Sequence, residues 1–124
     1  MGAPIVGLVL CILVTAGCSP GEKPTERQPV VGADPSRGRV LLSQYQCGAC
    51  HTIPEVPSSR GMVSSSLEGF GRRSYIAGRL ANRHELLARW IEDPQAMVPD
   101  TPMPSMGVTP QDARDMAAYL LTLQ

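Results

Sequence analysis

Residues 35–124 are predicted to form an all-α domain, on three observations. No stretch sustains the two-residue alternation of a half-buried strand. Three segments place apolar residues at helical spacing behind a start signal. The stretches between them are dense in Pro, Gly and Ser, which punctuate rather than propagate regular structure.

The first helix follows Asp34, Pro35 and Ser36, which supply a cap and first-turn residues. It runs through GRVLLSQYQ with Val40, Leu41 and Tyr45 toward one face, and it ends at the pentad CGACH, residues 47–51. Residues 52–81 read as loop, with prolines at 54 and 57, serines at 58, 59 and 64–66, and glycines at 61, 69, 71 and 78. In NRHELLARWIEDP, residues 82–94, Asn82 and Glu85 have the pattern of a capping box. Leu86, Leu87, Trp90 and Ile91 form an apolar stripe, and Pro94 stops the helix. A proline-rich loop, VPDTPMPSMG, leads to Thr109, Pro110 and Asp112, the start of a last helix. There Ala113, Met116, Ala117, Leu120 and Leu121 recur at helical spacing.

Two further segments precede this domain. Residues 3–17, APIVGLVLCILVTAG, have the length of a signal-peptide apolar region and are short for a transmembrane helix. The TAGC ending at Cys18 resembles the lipobox at which bacterial lipoproteins are cleaved and acylated. Thr15 stands where a leucine is usual, and no Lys or Arg precedes the apolar run. Cleavage after Ala16 and an uncleaved anchor are the competing readings. Residues 19–35, SPGEKPTERQPVVGADP, lack apolar periodicity, and a proline-rich chain extends ~3.1 Å per residue, so the segment can act as a tether of ~50 Å. The expected organisation is a signal peptide over 1–17, an acylated Cys18 with a flexible tether over 18–34, and one domain over 35–124.

A domain of about ninety residues buries a modest core and calls for an added staple: a disulfide, a metal or a large cofactor. Only five residues are aromatic: Tyr45, Phe70, Tyr75, Trp90 and Tyr119. Of the four cysteines, Cys11 and Cys18 lie in the leader region, so a disulfide framework is not expected. Net charge is zero, which removes the electrostatic footprint of a nucleic-acid binder. The charge is nonetheless segregated. Arginines 60, 72, 73, 79, 83 and 89 make the middle basic, and Glu92, Asp93, Asp100, Asp112 and Asp115 make the tail acidic.

Cys47, Cys50 and His51 form the Cys-x-x-Cys-His signal for covalent attachment of a c-type haem. Thiols three apart can each add to one vinyl group on neighbouring edges of the porphyrin. The adjoining imidazole is then brought beneath the iron, its second ring nitrogen donating to a backbone carbonyl. A thioredoxin-type dithiol would want a βαβ context, which is missing here. A zinc site would need more ligands than His84, on an apparently surface helix, can add.

The sixth ligand decides between electron transfer and gas or substrate chemistry. The candidates are His84 and methionines 62, 97, 103, 106 and 116. Met116 lies on the stripe of the last helix and reads as core packing, whereas Met103 lies between Pro102 and Pro104, which stiffen the loop that presents it. Met103 is the preferred ligand, with His84 and Met106 as alternatives.

The order CGACH, RRSYIAG (72–78), WIEDP (90–94), PDTPMP (99–104) and a closing AYLLTL helix resembles a class I cytochrome c. It is most similar to the small bacterial domains found beside or fused to terminal oxidases. The resemblance covers residues 34–124 and implies three main helices, with short helices and loops, wrapped round one covalently bound haem. It places Met103 as the axial methionine, and Gly38 and Tyr119 at the crossing of the first and last helices. Residues 64–67, SSSL, depart from the G-P-x-L of relatives, so Ser65 stands where a proline carbonyl accepts the proximal histidine's N–H. Arg72, Arg73, Tyr75, Arg79 and Trp90 fall where such cytochromes hold the haem propionates. Tyr75 and Trp90 lead this group, and Arg79 is carried with them.

The resulting expectation is an exported one-electron carrier with a single covalent haem c, His51/Met103 ligated, and with no bond-making step of its own. It would sit on the periplasmic side of a bacterial membrane, lipid-anchored at Cys18, between a membrane donor complex and a terminal-oxidase-type acceptor. The rivals are a five-coordinate haem enzyme or gas sensor, and a fixed haem-bearing subunit of a larger oxidase complex.

Overall fold

The computed structural model describes Gly2 and residues 30–124. The rest of the 1–17 leader, Cys18 and tether residues 19–29 lie outside the described residues.

Helix α1, Pro35–Gln44, begins where the sequence signals it. The extended Asp34 turns its carboxylate onto the amides of Ser36 and Arg37 at 2.9 and 3.1 Å, and Pro35 occupies the first helical position, where no amide is needed. Gln46 then adopts a left-handed conformation, φ 56°, and the chain enters a 3-10 turn over Cys47–Ala49. The carbonyl of Cys47 accepts from the amides of both Cys50 and His51, so the pentad is wound into a single turn.

Residues 52–81 are largely irregular but include a 3-10 turn, Phe70–Arg72, and a small hairpin. Strands β1, Tyr75–Ile76, and β2, Leu80–Ala81, pair antiparallel with Ile76 opposite Leu80. Ala77 and Gly78 both take positive φ at the bend, 49° and 68°. Strands of two residues are too short to leave an alternation in the sequence, and the domain remains predominantly helical.

Helix α2 spans His84–Glu92, with Arg83 at its N-cap and no side-chain cap. The capping box expected from Asn82 and Glu85 therefore does not form. The Asn82 amide nitrogen is occupied elsewhere, donating at 3.0 Å to each of the Phe70 and Arg73 carbonyls. Pro94 ends α2 and also begins a further turn, α3, Pro94–Met97, because Asp93 caps it through the Ala96 amide at 3.2 Å. Helix α4, Pro110–Thr122, starts with Thr109 accepting from the Asp112 amide at 3.2 Å.

Helix α4 is the spine, packed against both α1 and α2. Its Ala113, Met116 and Ala117 are completely inaccessible. At the α1–α4 crossing Gly38 lies directly on the backbone of Asp115. Around that contact Arg37 pairs with both Asp112 and Asp115, the Tyr45 hydroxyl donates to Asp112 at 2.8 Å, and the Asp34 amide donates to Asp115 at 2.9 Å. One turn on from Asp115, Tyr119 donates to the Pro54 carbonyl at 2.8 Å, tying the loop after the pentad to α4. Among the described residues no helix is long and apolar enough to cross a membrane.

Candidate haem site

The helices and loops enclose one side of a mainly apolar cleft with about 880 Å³ of empty space, its mouth included. Leu42 from α1, Leu87, Trp90 and Ile91 from α2, and Met116 and Leu120 from α4 form its helical walls. Leu67, Phe70 and Ile76 close it from the loops. Cys47, His51 and Met103 reach this same space from segments far apart in sequence.

Cys47 and Cys50 are free thiols, both partly buried. Burial pushes the Cys47 thiol up to about 11, so at neutral pH it stands in the cleft uncharged. Cys50 follows one turn later but is not itself part of the cleft lining.

The His51 ring is oriented by one bond: Nδ1 lies 2.7 Å from the Ser65 carbonyl oxygen. A carbonyl can only accept, so Nδ1 carries the proton and Nε2 keeps its lone pair free for a metal. The serine carbonyl thus takes the acceptor role that the resemblance gives to a proline.

Met103 is half-buried and packs on the core. Its amide donates to Thr101 Oγ1 at 3.3 Å, and its carbonyl accepts from Gln95 Nε2 at 2.8 Å. The 101–103 segment is therefore held from α3, a support that sequence reasoning missed. The Asp93-Pro94 pair was its available signal, being a cap followed by a first-turn proline.

Of the other ligand candidates, all but Met116 lie outside the cleft lining. His84 is not on a surface: it is 7% exposed, with Nε2 2.8 Å from the Arg114 carbonyl, because α2 turns that residue toward α4. It does not line the cleft, and neither do Met62, 91% exposed, Met106, 45% exposed, or Met97. Met116 does line it, as part of the α4 wall.

Of the polar residues marked for the haem carboxylates, Tyr75 and Trp90 line the cleft, Tyr75 at the mouth with 60% exposure. Arg72 and Arg79 are exposed and outside the lining, whereas Arg73 is within it. Ser64 and Ser65 also line the cleft. One thiol in the lining with a second a turn beyond it, a bare imidazole nitrogen and a thioether at an apolar space, with a few polar groups among them, fit haem c.

The family model described as Cytochrome c matches residues 35–124. The chain belongs to the cytochrome c family. This cytochrome c is 31% identical over 104 residues to cytochrome c oxidase subunit 2 of Alkalihalophilus pseudofirmus, across 83% of this chain and 28% of that protein. It is 26% identical over 103 residues to cytochrome c oxidase subunit 2 of Bacillus sp. strain PS3, across 79% of this chain and 29% of that protein. The chain thus spans under a third of the length of these relatives. The class I fold expected from the sequence is the fold observed, and membership implies a haem c cofactor and an electron-transfer role for the cytochrome c domain.

Proposed function

We propose that this cytochrome c carries one haem c, joined through thioethers at Cys47 and Cys50 and ligated by His51 and Met103, and passes single electrons to a terminal-oxidase-type acceptor. The observation that carries the reading is the Nδ1–Ser65 bond, which leaves His51 Nε2 free in the same cleft that receives Met103. When bound, the haem supplies a one-electron iron couple, and thioether ligation favours its reduced form relative to a second imidazole.

The chain's own residues do the rest. Leu42, Phe70, Leu87, Ile91 and Leu120 exclude water from most of the cleft, so charge placed there is weakly screened. Tyr75 and Trp90 offer an O–H and an indole N–H to the carboxylates of the group, and Arg73 offers a positive charge among them. In this reading the domain acts by holding the redox group, with no bond-making step of its own. The reading includes export by the 1–17 leader and attachment through an acylated Cys18, on the periplasmic side of a bacterial membrane, with a membrane redox complex as donor.

The names of the relatives favour a second arrangement, in which the domain serves as a fixed oxidase subunit rather than as a mobile carrier. Detergent purification separates the two, since a stoichiometric oxidase partner supports the fixed form. For the central reading, mass spectrometry of the mature protein is expected to show one haem addition and a lipid-bearing N-terminal Cys18. Its reduced absorption spectrum is expected to stay unchanged under carbon monoxide. A mature mass without haem, or ready carbon monoxide binding to the native protein, would overturn it.

A further inference from the structure

We propose that Arg73 is a positioning residue for His51, bracing the 64–68 segment so that the Ser65 carbonyl stays on the His51 Nδ1–H. The inference rests on the reading above, that His51 Nε2 is an iron ligand.

The segment that carries the Ser65 carbonyl is joined to the pentad loop itself. The Ser64 amide donates to the Cys50 carbonyl at 3.0 Å, and the Leu67 amide donates to the Thr52 carbonyl at 2.8 Å. These two bonds flank His51 and make the pentad end and residues 64–67 into one flap, which the Phe70 amide joins to the 70–72 turn through the Leu67 carbonyl at 3.1 Å. Arg73 adds a second tie, nearer the Ser65 oxygen. Its guanidinium donates to the Ser66 carbonyl, one peptide beyond the Ser65 oxygen, with a longer contact of 3.5 Å to the Glu68 carbonyl. It also lies over the Phe70 ring, 5.4 Å from the centroid, which fixes its plane.

The far end of the brace is itself anchored. Asn82, just before α2, holds the Phe70 and Arg73 carbonyls, and the Gly71 amide donates to the Leu123 carbonyl at the end of α4. A guanidinium reaching from a doubly anchored turn to the peptide beside the histidine's acceptor restrains a serine backbone that has no ring of its own. A proline at 65 would restrain the same peptide by fixing its own φ. Neither a donated bond nor a positive φ bars one at position 65, since the Ser65 amide donates no hydrogen bond among the described residues and its φ is not positive.

That equivalence supplies the test, on haem-loaded protein. The exchange rate of the His51 Nδ1–H is read by NMR in the reduced state, together with the reduction potential. R73L removes every donor, and losing a charge-assisted bond is expected to speed the exchange on the order of tenfold. The potential responds to two opposed effects: losing the positive charge beside the carboxylates lowers it, and a less firmly held N–H, which puts less electron density on the ligating ring, raises it. S65P alone changes little, and S65P added to R73L restores the exchange rate and cancels only the upward part of the potential shift, so the double variant has a lower potential than R73L. R73Q, which keeps one amide donor, reads the same effect at smaller size should R73L not fold. Unchanged exchange in R73L or R73Q overturns the proposal. So does a double variant whose exchange stays fast, since a restrained peptide at 65 would then not substitute for Arg73. Absence of haem from the wild-type protein would instead remove the ligation reading, so the two failures are distinguishable.

Discussion

Gly38 and Asp115 meet backbone to backbone: a Cβ built on Gly38 would lie 2.0 Å from the Asp115 carbonyl oxygen. No side chain fits there without moving a helix, so the closeness of α1 and α4 depends on this glycine. Overpacking a core costs about 1–3 kcal/mol. Gly38→Ala is expected to reach the upper end of that range in urea unfolding, because the obstructing atoms belong to backbone.

Stability is expected to fall in acid through the cluster around this crossing. The Tyr45 hydroxyl and Arg37 guanidinium hold the Asp112 carboxyl below its ordinary range. Burial works the other way on Asp115, but the Asp34 amide, Arg37 and Gln111 outweigh it and hold that carboxyl low as well. A folded-state pKa below the unfolded value gives stabilisation that is present above the unfolded value of about 4 and is lost as pH falls through the folded one. Denaturant midpoints measured from pH 7 to pH 2 should therefore decline below about pH 4. Asp115→Asn should lower the pH 7 midpoint and flatten that decline.

Met103 and Met106 should respond differently to truncation. Met103 lines the cleft and is held by Thr101 and Gln95, whereas Met106 is outside it. In the haem-loaded protein Met103→Ala is expected to give stoichiometric carbon monoxide binding, read by absorption. Met106→Ala should leave the spectrum as in the wild type, and carbon monoxide binding in that variant instead would reassign the ligand.

Asn82→Ala should destabilise the domain by about 2 kcal/mol, since two carbonyls lose their donor and each unmet acceptor costs ~1–3 kcal/mol. Part of that loss is offset because Asn82 Oδ1 is buried with no partner in the folded protein. Thermal unfolding measures the total, and a change below a few tenths of a kcal/mol would mean that the hairpin is held without this amide.

Helix starts were legible because each is a local event. Asp34-Pro35 and Thr109-Pro110 satisfy the first amides of their own helices, and a window of four residues contains everything that decides them. Asn82 shows the limit of that logic. Its local pattern is a cap, yet two carbonyls from residues 70 and 73 offer its amide group better-placed partners. His84 and the arginines failed for the same reason. Exposure of one face of α2 depends on where α4 lies, and whether Arg73 or Arg79 faces the cleft depends on the hairpin's direction.

Family, helical class and the chemistry open to Cys47, Cys50 and His51 were legible in the chain because motif spacing and capping are properties of short stretches, and the resemblance already marked Met103 and the Ser65 carbonyl. Packing settled what no short stretch contains: that Gln95 holds the Met103 loop, that His84 turns to the Arg114 carbonyl, and that Arg73 rather than Arg79 lines the cleft. Those relations join residues from separate loops, and they exist only after α1, α2 and α4 have packed and fixed where each loop must run.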